Sequence, residues 1–174
     1  MRTRALSASL LVLVLAACGG GPPPEPPAPP PWESVVFFPG GNVLRSPEIE
    51  PIELVPLDFI LRSGRALVEP IYDGAFRRND GRTLERWGIE ASRRSLIRNW
   101  VQDLGRTLDY IEQHPDLQPN ATSYLALSLG SGIAPDLLAF EPRFRSAVLY
   151  SGGFSGRSTQ ATIDNIYGLA NRVR

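Results

Sequence analysis

Tyr124-Leu125-Ala126-Leu127-Ser128-Leu129-Gly130-Ser131-Gly132 is the stretch whose reading decides the fold. An apolar run leads to a serine, and small residues stand two positions before it and two and four positions after it. A helical segment, Ser131 to Phe140, follows at once and stops at Glu141-Pro142. A buried strand that turns sharply into a helix needs this composition. The two elements nearly touch, so only small side chains fit beside the turning residue. Ser128 is then lifted to the carboxyl end of a strand. The plainer alternative is a serine in an ordinary strand-to-helix turn.

Working outward, Ala121 to Leu127 forms the strand that enters Ser128, and Asp116 to Asn120 reads as the turn before it. Ser92 to His114 is the clearest helix, because Leu96, Ile97, Trp100, Val101, Leu104, Leu108 and Ile111 recur at three- and four-residue steps. Ser92 suits its N-cap and Pro115 ends it; Gly105 lies on the stripe side, where it lets the helix approach a sheet. Ser34-Val35-Val36-Phe37-Phe38 is a β-branched and aromatic run of the kind buried on both faces of a parallel sheet. It stops at the turn Pro39-Gly40-Gly41-Asn42.

Residues 45 to 56 read as a loop, with Pro47, Pro51 and Pro56. Leu57 to Ser63 reads as a short helix closed by Gly64, and Arg65 to Tyr72 as the next strand. Asp73 to Ala91 is polar and reads as a loop. Its Arg77, Arg78, Arg82 and Arg86 either meet an anionic substrate group or belong to a solvated surface. Arg145 to Ser151 is a further buried-type strand, closed by Gly152-Gly153. Phe154 to Arg174 has weak helical character around Thr162 to Ala170. Strand and helix alternate throughout, which predicts an α/β fold: a mostly parallel sheet with helices on both faces.

At 174 residues the chain has room for about one domain. Hydrophobic residues make up 43% and charged residues 21%, enough to bury a core. A net charge of +0 gives no electrostatic footprint for nucleic acid. All basic side chains are arginines, so a catalytic lysine is excluded. One Cys excludes an intrachain disulfide and a multi-Cys metal site, and neither a metal nor an organic cofactor is expected.

The N-terminus reads as an address. Arg2 and Arg4 precede an apolar run from Ala5 to Ala17, too short and too closely followed by Gly and Pro for a transmembrane span. It ends Leu15-Ala16-Ala17-Cys18-Gly19, which resembles the lipobox of bacterial lipoproteins. The resemblance implies that residues 1–17 are a signal peptide, that cleavage precedes Cys18, and that Cys18 carries lipid. Several acyl chains on one residue anchor firmly to a membrane. No Asp follows Cys18, which by the usual sorting preference favours the outer membrane within the bacterial cell envelope. The alternative is an ordinary secretory signal with an incidental Cys. Residues 18–31 are then the anchored cysteine and a Pro-rich linker, a semi-rigid polyproline II stalk or a ligand for a proline-binding module. Residues 32–174 are the folded domain.

A serine hydroxyl needs a base within hydrogen-bond reach to become a nucleophile, and donors aimed at the oxyanion that forms on attack. Phe37-Phe38-Pro39-Gly40-Gly41-Asn42, Ser63-Gly64-Arg65-Ala66-Leu67 and Tyr124 to Gly153 resemble α/β-hydrolases of the dienelactone hydrolase and prolyl oligopeptidase type, including esterase-like domains fused to bacterial serine/threonine kinases. The likeness spans Val35 to Arg174, with Ala126 replacing the first glycine of the usual elbow. It implies a partial α/β-hydrolase fold and Ser128 as nucleophile. The backbone N–H groups of Leu129 and of Gly41 or Asn42 become the oxyanion donors, and the substrate a small molecule with an ester, thioester or other acyl bond.

The pattern then breaks. In that fold the triad runs Ser, Asp or Glu, His along the chain, yet no His follows Ser128. His114 precedes the strand that delivers Ser128 and so belongs at the other end of the sheet. Asp136, Glu141 and Asp164 follow the serine, but none has the setting of a catalytic acid. The expectation is a hydrolase domain lacking its C-terminal acid and His part, either a truncated gene product or a natural short form. It would be marginally stable, catalytically weak and bounded by an unpaired hydrophobic edge strand. The competing expectation is a non-catalytic binding lipoprotein on the same scaffold, or an inactive fragment.

Overall fold

The computed structural model describes residues 29–45 and 57–152. The signal peptide, Cys18, most of the Pro-rich linker, the loop of residues 46–56, Gly153 and the tail with Asp164 lie outside the described residues.

Four strands, β1 (Trp32–Phe38), β2 (Ala66–Val68), β3 (Leu117–Leu127) and β4 (Ser146–Tyr150), pair in the order β2-β1-β3-β4, all parallel. Helix α1 (Asp58–Arg62) joins β1 to β2. Helices α2 (Thr83–Gly88) and α3 (Glu90–Gln113) lead on to β3, and α4 (Leu129–Phe140) joins β3 to β4. Because side chains alternate along a strand, the central strands feed two cores. Val36, Phe38, Val68, Tyr124 and Ala126 pack with Trp100, Leu104 and Leu108 of α3 and Ile133 and Leu137 of α4. Val35, Phe37 and Leu67 face the other way, against Leu57 and Ile60. The parallel sheet with helices on both faces is therefore the architecture.

The α3 stripe is buried at Leu96, Trp100, Leu104, Leu108 and Ile111. Ser92 is not its N-cap: the helix begins at Glu90 after Ile89, and no side chain caps it. Gly105 does not face the sheet. Its carbonyl accepts from Arg143 Nη2 at 3.2 Å, and a Cβ built there lies 3.7 Å from Glu141 Oε2. The close approach it permits is to the turn after α4. Gly64, with φ +78°, ends α1 as a left-handed glycine should.

Three local expectations are corrected. The 116–120 turn is mostly strand, since β3 starts at Leu117, which pairs with Trp32; the irregularity is absorbed by a register shift between Trp32 and Ser34 and by Asn120 at φ +58°. The strand expected over Arg65 to Tyr72 is shorter, ending at Val68. The loop of Asp73 to Ala91 contains a 3-10 turn at Phe76–Arg78, all of α2 and the start of α3. Three of its arginines are paired: Arg78 with Asp103 at 2.8 Å, Arg86 with Asp73 at 3.0 Å, and Arg82 with Glu85 at 3.4 Å. They staple this segment to itself and to α3.

Among the described residues β4 pairs with β3 alone, and its Val148 and Tyr150 are 58% and 69% exposed. That is the hydrophobic edge expected from the sequence.

Candidate active site

The strand order places a reversal at the centre of the sheet. From β1 the chain crosses to β2 on one side by way of α1, then returns through α3 to β3 on the other side. Segments leaving the carboxyl ends of β1 and β3 therefore diverge to opposite faces. In open parallel sheets the crevice at such a point is where ligands bind. Two segments border it here: the Gly40–Leu44 turn after β1 and the Ser128 elbow after β3.

The elbow is sterically tight. Ser128 has φ +50° and ψ −103°, a conformation that a residue with a Cβ adopts only when its surroundings impose it. A Cβ built on Gly130 lies 2.5 Å from the Phe38 carbonyl oxygen, so no other residue fits where α4 passes β1. Gly130 N–H donates to the Pro39 carbonyl at 3.3 Å, and the Tyr124 hydroxyl donates to the Gly130 carbonyl at 3.3 Å. Ser131 Oγ donates within reach of the carbonyls of Ala126 (2.7 Å) and Tyr150 (2.9 Å), and Ser128 N–H also donates to Tyr150 at 2.9 Å. Gly152 closes the third side, since a Cβ there meets Ser131 Cβ at 2.5 Å. Ala126, two residues before Ser128, is fully buried.

The turn after β1 is seated against this elbow. A Cβ built on Gly40 lies 3.7 Å from Ser128 Cβ, and one built on Gly41 lies 3.8 Å from Leu129 Cβ. Gly41 and Asn42 open a single 3-10 turn (Gly41–Leu44), closed by Arg45 N–H on the Asn42 carbonyl at 2.9 Å. Leu129 is the first residue of α4. Opening residues of helical segments keep backbone N–H groups that the helix does not consume. Ser128 and Leu129 thus come against Gly40 and Gly41, with Asn42 next along the turn, from two distant parts of the chain.

The other titratable residues do not join them. His114 caps the C-terminus of α3, where its Nδ1 accepts the Asp116 N–H at 3.2 Å and its ring lies 5.2 Å from Tyr110. The 11 residues of β3 separate it from Ser128 by on the order of 30 Å. Asp136 stands eight residues beyond Ser128 on α4, roughly 12 Å along the helix. Burial raises its carboxyl above the usual range, against the opposing charge of Arg93. Glu141 is clasped by Arg143 at 2.7 Å through both oxygens. Among the described residues no three His, Cys, Asp or Glu are grouped to hold a metal, and no helix is long and apolar enough to cross a membrane.

Two buried polar groups escaped the sequence reading. Glu69 follows β2, and its Oε1 is buried without a hydrogen-bond partner among the described residues. Burial pushes its carboxyl up to about 8. Tyr72, stacked on Phe38 at 4.0 Å between centroids, has an equally unpartnered hydroxyl, which burial drives well above its ordinary range. The signal was an acid between Val68 and Pro70 in an otherwise apolar strand.

No protein-family model matches the sequence, and no curated protein does. Among solved structures, the chain is similar to the crystal structure of 2,6-dihydroxy-pseudo-oxynicotine hydrolase, with a TM-score of 0.44 and 16% identity over 96% of this chain and 44% of that one. The chain thus spans less than half the length of that structure. At such distance the likeness has no bearing on activity, and the functional reading rests on the geometry around Ser128.

Proposed function

We propose that the chain is a serine hydrolase-like lipoprotein of the bacterial envelope, whose Ser128 attacks the carbonyl carbon of an ester, thioester or other acyl bond. The observation that carries the reading is the strained left-handed backbone of Ser128 at the central reversal of the sheet, with the Gly40 turn packed against it. Strain of this kind persists only where the surroundings impose it, and it gathers at functional sites. On attack, Ser128 Oγ bonds to the acyl carbon and gives its proton to a solvent water, and the carbonyl electrons move onto oxygen. The resulting oxyanion is received by the N–H groups of Leu129 and of Gly41 or Asn42. The leaving alcohol or thiol departs with a proton taken from solvent, and water then attacks the acyl-enzyme, releasing the acid and returning a proton to Ser128 Oγ. No base stands beside Ser128 among the described residues, so the first step is the slow one.

Fluorophosphonate treatment of the full chain should give one adduct, on the Ser128 peptide, that Ser128→Ala abolishes. Added imidazole should accelerate it by supplying the base. Absence of an adduct at any imidazole concentration would sink the reading and favour the alternative, a non-catalytic binding lipoprotein on the same scaffold. That alternative draws on the position of His114, the sole histidine, at the far end of β3. The anchor is tested separately: expressed in a bacterium, the protein should carry labelled fatty acid and fractionate with membranes, and Cys18→Ser should lose both.

A further inference from the structure

The turn that packs against Ser128 buries Val43 and Leu44 in the core, and it is also held from a distance. Its last carbonyl, that of Leu44, accepts a hydrogen bond from Asn79 Nδ2 at 2.6 Å, across 35 residues of sequence. Asn79 is itself fixed from the other side, because its Oδ1 accepts the Gly81 N–H at 2.8 Å and the Thr83 hydroxyl at 3.1 Å. Thr83 is fully buried and packs on Gly74, whose φ of +77° and lack of a Cβ let the chain pass. The same segment is tied to α3. Trp100 Nε1 donates to the Asp73 carbonyl at 2.7 Å, Asn99 Nδ2 to the Asp73 carboxylate at 2.9 Å, and the Asp73 N–H to Asp103 Oδ2 at 2.9 Å. A continuous set of bonds therefore runs from α3 through residues 73–83 to the Gly41–Leu44 turn. Its final link is one amide N–H of Asn79.

We propose that Asn79 is a positioning residue for the oxyanion side of the Ser128 site, an inference that rests on the hydrolase reading for its catalytic meaning. The Asn79 amide holds Leu44, and through the one-turn helix it sets where the Gly41 and Asn42 N–H groups stand relative to Ser128. Oxyanion donors act only when placed to within a fraction of an ångström, and a misplacement of about 1 Å lowers rates on the order of 100-fold.

Two variants separate positioning from general support. Asn79→Asp keeps the oxygen that serves Gly81 and Thr83 but removes the donor to Leu44. Thr83→Val removes the hydroxyl donor to Asn79 and leaves the Leu44 bond intact. The full chain is reacted with a fluorophosphonate in fixed imidazole, and the maximal labelling rate is separated from the half-saturating concentration. Asn79→Asp should lower the maximal rate at least tenfold with little change in half-saturation, while Thr83→Val lowers thermal stability and keeps the wild-type rate. Hydrogen exchange of the peptide spanning residues 40–45 should accelerate in Asn79→Asp and not in Thr83→Val. A folded Asn79→Asp chain that labels at the wild-type rate overturns the proposal. If the wild-type chain does not label at Ser128, the hydrolase reading falls, and the exchange measurement alone decides the structural role: unchanged exchange in Asn79→Asp overturns it, faster exchange upholds it.

Discussion

The two segments that border the crevice are held in opposite ways. The Ser128 elbow is fixed by its immediate surroundings: α4 passes β1 so closely that Gly130 has no room for a Cβ, and the bonds of Ser128 and Ser131 reach the adjacent strands. The Gly41–Leu44 turn buries Val43 and Leu44 in the core, and its last carbonyl is held in addition by one side-chain amide reaching in from a segment that is itself tied to α3. One half of the site is made by local crowding, the other by core burial of Val43 and Leu44 together with a remote tether. Crowding is robust to everything except volume, whereas a tether fails when its final link, the Asn79 amide on the Leu44 carbonyl, is lost.

The largest effect that separates them is expected at Gly130. The atom a new methyl group meets there is the backbone oxygen of Phe38, which cannot swing aside. Gly130→Ala should cost about 4 kcal/mol, measured by urea denaturation of the full chain. A cost near zero would mean that the elbow is looser than the contact implies.

Next comes a pH dependence at the end of β2. The Glu69 carboxyl, at 4.5 in its ordinary state, is raised to about 8 by burial. The folded state then holds the proton more tightly than the unfolded one. The contribution of Glu69 is fully present below pH 4.5 and is lost progressively as pH rises to about 8. Glu69→Gln should flatten that decline, and at pH 8 it should be more stable than wild type by on the order of 3 kcal/mol. Parallel pH profiles for the two chains would show that the Glu69 proton is not linked to folding.

Gly74 tests the tether itself. Its φ is +77°, and a Cβ there meets Thr83 Cγ2 at 2.5 Å, a side chain with some freedom to yield. Gly74→Ala should cost about 2 kcal/mol, less than Gly130→Ala, and unlike that variant it should speed hydrogen exchange in the Gly41–Leu44 turn. The smallest effect has the opposite sign. Ser128→Gly relieves the left-handed strain at φ +50° and should stabilise the chain by about 1 kcal/mol, seen as a raised midpoint of thermal unfolding. A destabilised Ser128→Gly chain would locate the strain elsewhere.

The same contrast explains what could be read from the sequence. Crowding leaves a mark in residue size, and the small residues at 126 and 130 disclosed the elbow, its strand and its helix, whereas a Cβ at Gly132 would meet nothing within 4 Å, so its size does not come from crowding. Apolar periodicity did the same for α3 and β1. Tethers leave no such mark. Nothing near Asn79 in the sequence says that it bonds to Leu44, and α2 was hidden because Thr83-Leu84-Glu85-Arg86-Trp87-Gly88 is short and polar. The N-cap assigned to Ser92 failed for a related reason: α3 starts earlier, immediately after α2, with no capping side chain to mark the boundary. Asn120, a plausible turn residue, does take a left-handed φ, yet within a strand that continues through it.

The carbonyl of Tyr150 lies within hydrogen-bond reach of both the Ser128 N–H and the Ser131 hydroxyl. This has a consequence in the order of events. The acceptor that holds the strained serine lies at the end of β4, beyond the whole of α4 in the chain. Until β4 is in place, the Ser128 N–H has no such acceptor. A nascent chain ending before Tyr150 would carry the elbow with its contacts to β1 but without the acceptor for the Ser128 N–H.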